Sequence, residues 1–475
     1  MDKIYLGRRW NPRTGRTGRR VTYDLRSHLT LFGTTGCGKG ATLEIPNLLR
    51  GLRRMSVVSI DPSGQNAAVT AAARRRAGRH VLMLNPFNLH VAGYPDMQDV
   101  GFNPLTTLDP AAPAFFEIAA SLGDAMISVE GDSQIHFPNS ARGLMTWLMM
   151  YVRLRDGDRA NLGTVRDLLT GDLPATAEDA VAAGHPGLAS LAWKYQKESK
   201  ELEGVISTAE TQSRWLLSDV MRASLAKNGV DFGRLKERPT TVFLILPAGR
   251  ELETHGVWLR LAVTSALNAL YARIGGTPTL FMLSEFAQLG KLASITAALG
   301  QGRKYGIRLW PVLQNMGQLR DIYGPQNSNT FIANSGCVVS FCAGDGDTAE
   351  WMSAFSGEQG VVGMSASADP HAPGGVRINY NEQRERVWAP GKTRELPEFH
   401  GLVWQFGKAE PQPVYCPPYW KIGACRRRAR PDPYHPQAAG GGLHRRLRRV
   451  VRLAAGAALA AAVVVGIAWL RAGIG

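Results

Sequence analysis

The sequence predicts an α/β fold built around a mostly parallel sheet and interrupted by an all-helical insertion. Three observations carry this. Short runs rich in Val, Ile and Leu alternate with longer stretches of helical period; a glycine-rich loop joins one such run to an amphipathic stretch; and between residues 113 and 236 the helical period takes over. With 475 residues, 44% of them apolar, the protein is long enough to bury a substantial core in two or three domains.

Taken in order, the strand candidates are HLTLF (28 to 32), SVVSI (56 to 60), HVLML (80 to 84), TTVFLIL (240 to 246), TLFML (279 to 283), RLWPVL (308 to 313) and CVVSFC (337 to 342). Each is an apolar run of strand length. Between the third and fourth, SARGLMTWLMMYVRL and the stretch from Glu203 to Leu225 keep helical spacing, and His136 and Trp147 read as packing residues. After Asp345 a helix and an irregular Gly/Pro-rich tail are expected, and PDPYHPQAAGGG (431 to 442) reads as a flexible linker. The expected division is a first part of a nucleotide-binding domain (1–112), an inserted all-α domain (113–236), the second part of the nucleotide-binding domain (237–425), a basic linker (426–452) and a transmembrane helix (453–470).

The net charge of +16 sits at the ends. Residues 1–30 hold eight Lys/Arg against two Asp, residues 421–475 hold eleven against one, and residues 31–420 hold 36 of each sign. The charge therefore says little about a nucleic-acid groove in the body of the protein. Five cysteines, Cys37, Cys337, Cys342, Cys416 and Cys425, form no CxxC pair and no metal-ligand spacing, which fits a reduced compartment. No N-terminal signal sequence is expected in the basic, polar first thirty residues. LAAGAALAAAVVVGIAWL, Leu453 to Leu470, carries no charge over eighteen residues. At helical rise it would span roughly 27 Å, about the thickness of a bilayer's hydrocarbon core. Flanked by Arg445, Arg446, Arg448, Arg449 and Arg452, it is expected to act as a C-terminal anchor in the inner membrane, with the bulk of the protein in the cytoplasm. An alanine-rich interfacial or partner-binding helix is the alternative.

The chemistry-bearing stretch is Gly33-Thr34-Thr35-Gly36-Cys37-Gly38-Lys39, a G-x-x-x-x-G-K loop placed between a strand and a helix, with Gly40 and Ala41 opening the helix. Glycines let successive N–H groups turn inward, the helix adds its positive end, and Lys39 would neutralise phosphate. Hydrolysis needs a carboxylate to polarise water, beside a metal-contacting acid at the end of a second strand. TLFMLSEFAQLG supplies Glu285 but puts Ser284 where that acid belongs. RLWPVLQN ends at Gln314, placed to feel a γ phosphate, and Arg303 in GQGRKYG could reach a neighbouring subunit's nucleotide. Asp61, after SVVSI, either supports the site or merely forms a turn.

Together, GTTGCGKGATLEIPNLL, VVSIDPSGQN, VLMLNPF with GFNPL, DLLTG, GVISTAETQSRWL, TTVFLILPA, SEFAQLGKL, GRKYGIRLWPVLQNMGQLRDIYG and NSGCVVSF resemble the type IV secretion system coupling protein family, the VirD4/TraG-like conjugative DNA transfer ATPases. The resemblance covers nearly all of residues 28–420. It implies a RecA-like P-loop NTPase fold, ATP and Mg²⁺ as cofactors, and a homo-hexameric ring at the secretion channel of the inner membrane. That ring would receive single-stranded DNA with its relaxase, or a protein substrate. By the same resemblance Gly33 to Ala41 cradle the nucleotide, Lys39 contacts phosphate, Glu285 is the catalytic carboxylate, Gln314 the γ-phosphate sensor and Arg303 a finger acting in trans. Residues 113–236 would choose substrate.

Two departures stand out: the membrane candidate is C-terminal where the family's is N-terminal, and Ser284 replaces an acid. Gly40 offers Mg²⁺ no hydroxyl and Ser284 no carboxylate, only a lone pair able to hold a metal-bound water. Losing such a partner costs about 10 to 100-fold in metal affinity or activity, so residual hydrolysis is expected over an inert site. A nucleotide-gated, weakly or non-hydrolysing receptor for protein cargo and an FtsK/HerA-like duplex DNA motor are the alternatives.

Overall fold

The computed structural model describes residues 2–129, 135–368, 376–408 and 410–435. Its strands are β1 (Ile4–Trp10), β2 (Thr17–Tyr23), β3 (His28–Phe32), β4 (Ser56–Ile60), β5 (His80–Leu84), β6 (Thr240–Leu244), β7 (Thr279–Leu283), β8 (Ile307–Leu313), β9 (Ser335–Phe341), β10 (Glu358–Ala368), β11 (Val376–Arg386), β12 (His400–Gln405) and β13 (Gln412–Tyr415). Eleven of them form one sheet in the order β2-β1-β13-β12-β9-β3-β8-β7-β4-β6-β5. From β9 to β5 all neighbours are parallel, and these seven strands are the seven apolar runs of the sequence. Every residue of β3, β4, β6, β7 and β8 is buried, as a parallel sheet covered by helices on both faces demands.

The sheet extends further than expected. Beyond β9 it continues antiparallel through β12, β13, β1 and β2. The tail after the helix Gly346–Phe355, expected to be irregular, instead holds β12, β13 and a long hairpin in which β10 and β11 pair from Glu358↔Arg386 to Ala368↔Val376. The hairpin strands are solvated and β13 has only four residues, so neither carries a run of buried apolar residues to announce it, whereas β12 buries Leu402, Val403 and Trp404. The hairpin exposes Val362, Met364, Ile378 and Tyr380.

From Phe115 to Lys236 every described element is helical. The central helix His136–Asp156 buries Trp147, stacked on Tyr151 and donating Nε1–H to the Leu188 carbonyl at 3.1 Å. His136, expected inside, lies on the surface and contacts Glu201 at 2.9 Å. The helical stretch shares its core with the sheet. Buried Arg260, on helix Arg250–Tyr271, donates to the Ala125 carbonyl at 2.7 Å and the Asp124 carbonyl at 3.1 Å, at the end of helix Phe115–Met126. The same guanidinium donates to the Leu289 carbonyl at 2.7 Å, in the turn that follows β7.

The expected fold class and location require a correction. Among the described residues no helix is long and apolar enough to cross a membrane. The two longest, His136–Asp156 and Arg250–Tyr271, have the length but carry arginines such as Arg142, Arg153 and Arg260 and pack within the protein. The expected span Leu453–Leu470 lies outside the described residues. The fold is accordingly an α/β one with no transmembrane element among the described residues, none of which supports a C-terminal inner-membrane anchor.

Candidate nucleotide site

Parallel strands deliver their C-terminal ends to one edge of the sheet, and that is where such folds bind ligands. In register, β3 lies beside β8, β8 beside β7 and β7 beside β4, with Phe32 opposite Leu313, Leu283 opposite Pro311 and Ile60 opposite Leu283. The residues that leave these strands are Gly33, Gln314, Ser284 with Glu285, and Asp61. The Gly33 N–H donates to the Leu313 carbonyl at 3.0 Å, which fixes the start of the loop next to Gln314. Gln314 is half-buried, and its own N–H donates to Gln318 Oε1 at 2.9 Å.

Within the loop, Gly36 (φ +81°) and Gly38 (φ +83°) occupy the left-handed region, where a side chain would be strained. A Cβ on Gly38 would also stand 2.8 Å from the Phe399 ring. Thr34 and Thr35 lie at the open side, half-buried and exposed respectively. Lys39 folds back so that Nζ donates to the Gly33 carbonyl and, at 3.1 Å, to the Thr34 carbonyl. The thiol of Cys37 is pushed up by burial against the opposing charge of Lys39, so it is no thiolate nucleophile. The helix opens with a π turn, Gly40–Glu44, closed by the Ile45 N–H on the Gly40 carbonyl. Such turns concentrate at functional sites. Ala41 is buried, whereas a Cβ on Gly40 would meet nothing nearer than Gln65 Oε1 at 4.0 Å. The absent hydroxyl at position 40 is thus not a matter of space.

The acidic wall differs from the expected one. Ser284 donates Oγ–H to Glu44 Oε2 at 2.8 Å, and Asn66 Nδ2 donates to the same oxygen at 2.7 Å. Glu44 is 3% exposed; burial pushes its carboxyl up, the two hydrogen bonds and Lys39 pull it down, and Glu285 pushes it up again. Asp61 accepts the Ala67 N–H at 2.8 Å and so caps the helix Gln65–Arg76, while its carbonyl closes the turn at Gly64. Burial pushes it up to about 7, with neighbouring Glu44 adding to the rise.

Folded Asp61 therefore keeps its proton to about pH 7, whereas the unfolded side chain releases it near 3.8. The folded state binds more protons across that window, and stability falls as pH rises through it. Asp61→Asn, which retains an acceptor for Ala67, removes that slope. Thermal unfolding is expected to show a variant-minus-parent Tm difference larger at pH 8 than at pH 5.

Glu285 is exposed and sits in the left-handed region (φ +53°), at the start of the turn Phe286–Leu289. For a residue with a side chain that conformation costs about 1–2 kcal/mol, a strain that concentrates at active sites. Arg303 is not brought to this edge. It lies exposed in the turn Gly302–Tyr305, before β8, while Gln314 follows β8, so the strand's length of about 20 Å separates them.

Sequence reasoning missed Glu44, Asn66 and a strap over the site. Residues 426–435, expected to begin a linker, are tied to the protein by hydrogen bonds, although most of them stay exposed and only Asp432 is buried. Asp432, 2% exposed, accepts from Gln65 Nε2 at 2.8 Å and from the Tyr419 hydroxyl at 2.7 Å, and the Tyr434 hydroxyl donates to the Ser63 carbonyl at 3.0 Å. The one signal for Glu44 is that it is the lone charged residue in ATLEIPNLL. Among the described residues no group of three or more His, Cys, Asp or Glu could hold a metal by itself. Any cation here would share its coordination with phosphate and water, which suits the octahedral habit of Mg²⁺. The glycine turns, Lys39 and the carboxylates fit a nucleotide with its cation.

Comparison with known proteins agrees with this geometry. The family model for type IV secretory system conjugative DNA transfer matches residues 2–404. Conjugal transfer protein TraG of Rhizobium radiobacter is 28% identical over 356 residues, 70% of this chain and 53% of the relative. Protein VirD4 of Agrobacterium fabrum is 22% identical over 400 residues, 81% of this chain and 58% of the relative. The protein spans about half the length of these curated relatives. Among solved structures, the unbound bacterial conjugative coupling protein TrwBdeltaN70 aligns with a TM-score of 0.63 at 20% identity, over 82% of this chain and 84% of that one. The plasmid coupling protein TrwB in complex with ADP and Mg²⁺ aligns with a TM-score of 0.54 at 20% identity, over 82% and 85%. The likeness establishes a RecA-like α/β fold with a mostly parallel sheet.

Proposed function

The protein belongs to the type IV secretory system conjugative DNA transfer family, and on that premise we propose that it is a coupling protein that binds ATP with Mg²⁺ at the strand-end cleft. It recruits single-stranded DNA with its relaxase, or a protein substrate, to a type IV secretion channel and uses ATP to deliver it. Convergence of the Lys39 loop with Glu285 and Gln314 on one sheet edge is the observation that carries this reading. The loop amides from Gly33 to Ala41 and the ammonium of Lys39 hold the phosphates. Glu285 takes the proton of the attacking water, and Gln314 answers to the γ phosphate. When bound, Mg²⁺ would neutralise phosphate charge, with Ser284 reaching one of its waters. Arg303, exposed at the far edge, fits a role toward the nucleotide of a neighbouring copy in a homo-hexamer. The residues from 113 to 236 form the surface that selects substrate, as an inserted all-α domain between two parts of the nucleotide-binding domain, 1–112 and 237–425.

A receptor that binds nucleotide and recruits protein cargo without pumping is the second reading, favoured by Ser284 in place of an acid. ATP turnover and single-stranded DNA binding by the full-length protein separate the two. A motor is expected to turn over ATP faster with DNA present. Its log affinity for DNA should fall linearly with log salt, by about 0.7 for each phosphate contacted. Turnover indifferent to DNA, together with DNA binding too weak to titrate, would leave the receptor.

A further inference from the structure

Glu44 has no packing reason to be an acid. Along the helix, Leu43, Ile45, Leu48 and Leu49 are buried and apolar, Thr42 and Asn47 are buried and uncharged, and Glu44 is itself 3% exposed. Enclosing a carboxylate there costs several kcal/mol unless partners compensate. Both of its hydrogen bonds, from Asn66 Nδ2 at 2.7 Å and Ser284 Oγ at 2.8 Å, fall on Oε2, and Oε1 has no hydrogen-bond partner among the described residues. The π turn sets Glu44 five residues after Lys39, and the charges of Lys39 and Glu285 both act on it. Its carboxylate therefore lies against the strand end that carries Ser284 and Glu285, on the helix that follows Lys39. It meets the strand-end residue at which the sequence lacks a metal-side carboxylate.

We propose that Glu44 supplies that carboxylate from the opposite wall of the cleft, so that the Glu44–Ser284 pair holds the waters of the nucleotide's divalent cation, with Ser284 and Asn66 orienting the group. The acid has moved from the end of β7 to the helix facing it. An aspartate at position 284 would then confront Glu44 with a second negative charge, and positions 44 and 284 should behave as one unit. This rests on the nucleotide site proposed above.

The test is binding of a fluorescent ATP analogue to the full-length protein, titrated with Mg²⁺ and repeated in EDTA. Glu44→Gln keeps an oxygen for Ser284 and removes the charge. It is expected to raise the Mg²⁺ concentration needed for half-maximal tightening by about 10 to 100-fold, with affinity in EDTA within about twofold of the parent, as expected of a loss confined to the cation. Ser284→Asp alone brings no improvement, whereas Ser284→Asp added to Glu44→Gln recovers the Mg²⁺ response, a non-additivity that only coupled positions give. An unchanged Mg²⁺ requirement in Glu44→Gln overturns the proposal while leaving the nucleotide site standing. A parent that binds no nucleotide in either condition overturns the site and the proposal together. Should Glu44→Gln fail to fold, Ser284→Ala carries the same test: a shift in the same direction supports the pair, and none overturns it.

Discussion

Replacing Lys39 by alanine is expected to lower affinity for ATP by about 100-fold and to take turnover to background. The ammonium is the one cation built into the loop, and charge-assisted hydrogen bonds contribute about 1.5–3 kcal/mol each. Loss of about 3 kcal/mol corresponds to roughly two orders of magnitude in Kd. The fold does not depend on the same contacts. Lys39 is half-buried, and among the described residues Nζ serves only the carbonyls of Gly33 and Thr34. Calorimetric titration should therefore show binding lost while the Tm stays within a few degrees of the parent. A variant that binds ATP as well as the parent would remove the loop from the mechanism.

Glu285→Gln is expected to separate binding from chemistry. A positioned general base contributes about 10² to 10⁴ in rate, so turnover should fall by at least about 100-fold while nucleotide affinity changes little. The side chain is exposed and its backbone is held in the left-handed region. Glu285→Gly relieves that backbone and should unfold no earlier than the parent, though it is as inactive as the glutamine variant. Stability retained with activity gone is the signature of a residue strained for function. Single-turnover kinetics beside thermal unfolding would check both. Parent-like turnover in either variant would remove Glu285 from the role.

How much of this the sequence discloses follows from where the physical constraints are local. The seven parallel strands are legible because nearly all of their residues are buried, with β5 at the edge half-exposed in part, and so they read as short runs dominated by apolar residues, as in SVVSI and TLFML. The glycine loop is legible because its spacing follows from phosphate geometry. β2, with only Val21 and Tyr23 buried, and the four-residue β13 offer no such run, and neither does the exposed hairpin. The site's acidic wall was illegible for another reason. Glu44 and Ser284 are 240 positions apart, so their contact exists only once β3 and β7 share a sheet. The strap through Asp432 and Tyr434 looked like a linker because its prolines and small residues hide two hydroxyl contacts and one buried carboxylate. For Leu453–Leu470, hydropathy remains a property of the sequence alone.

The central claim is that the amides and ammonium of the Gly33–Ala41 loop receive a triphosphate. A structure of the protein with a non-hydrolysable ATP analogue and Mg²⁺ tests it most directly. The phosphates are expected against the loop, with Lys39 Nζ drawn from the Gly33 and Thr34 carbonyls onto phosphate oxygen and Glu285 facing the terminal phosphate. An analogue bound elsewhere, or a cleft left empty at saturating nucleotide with Lys39 still on those carbonyls, would contradict it.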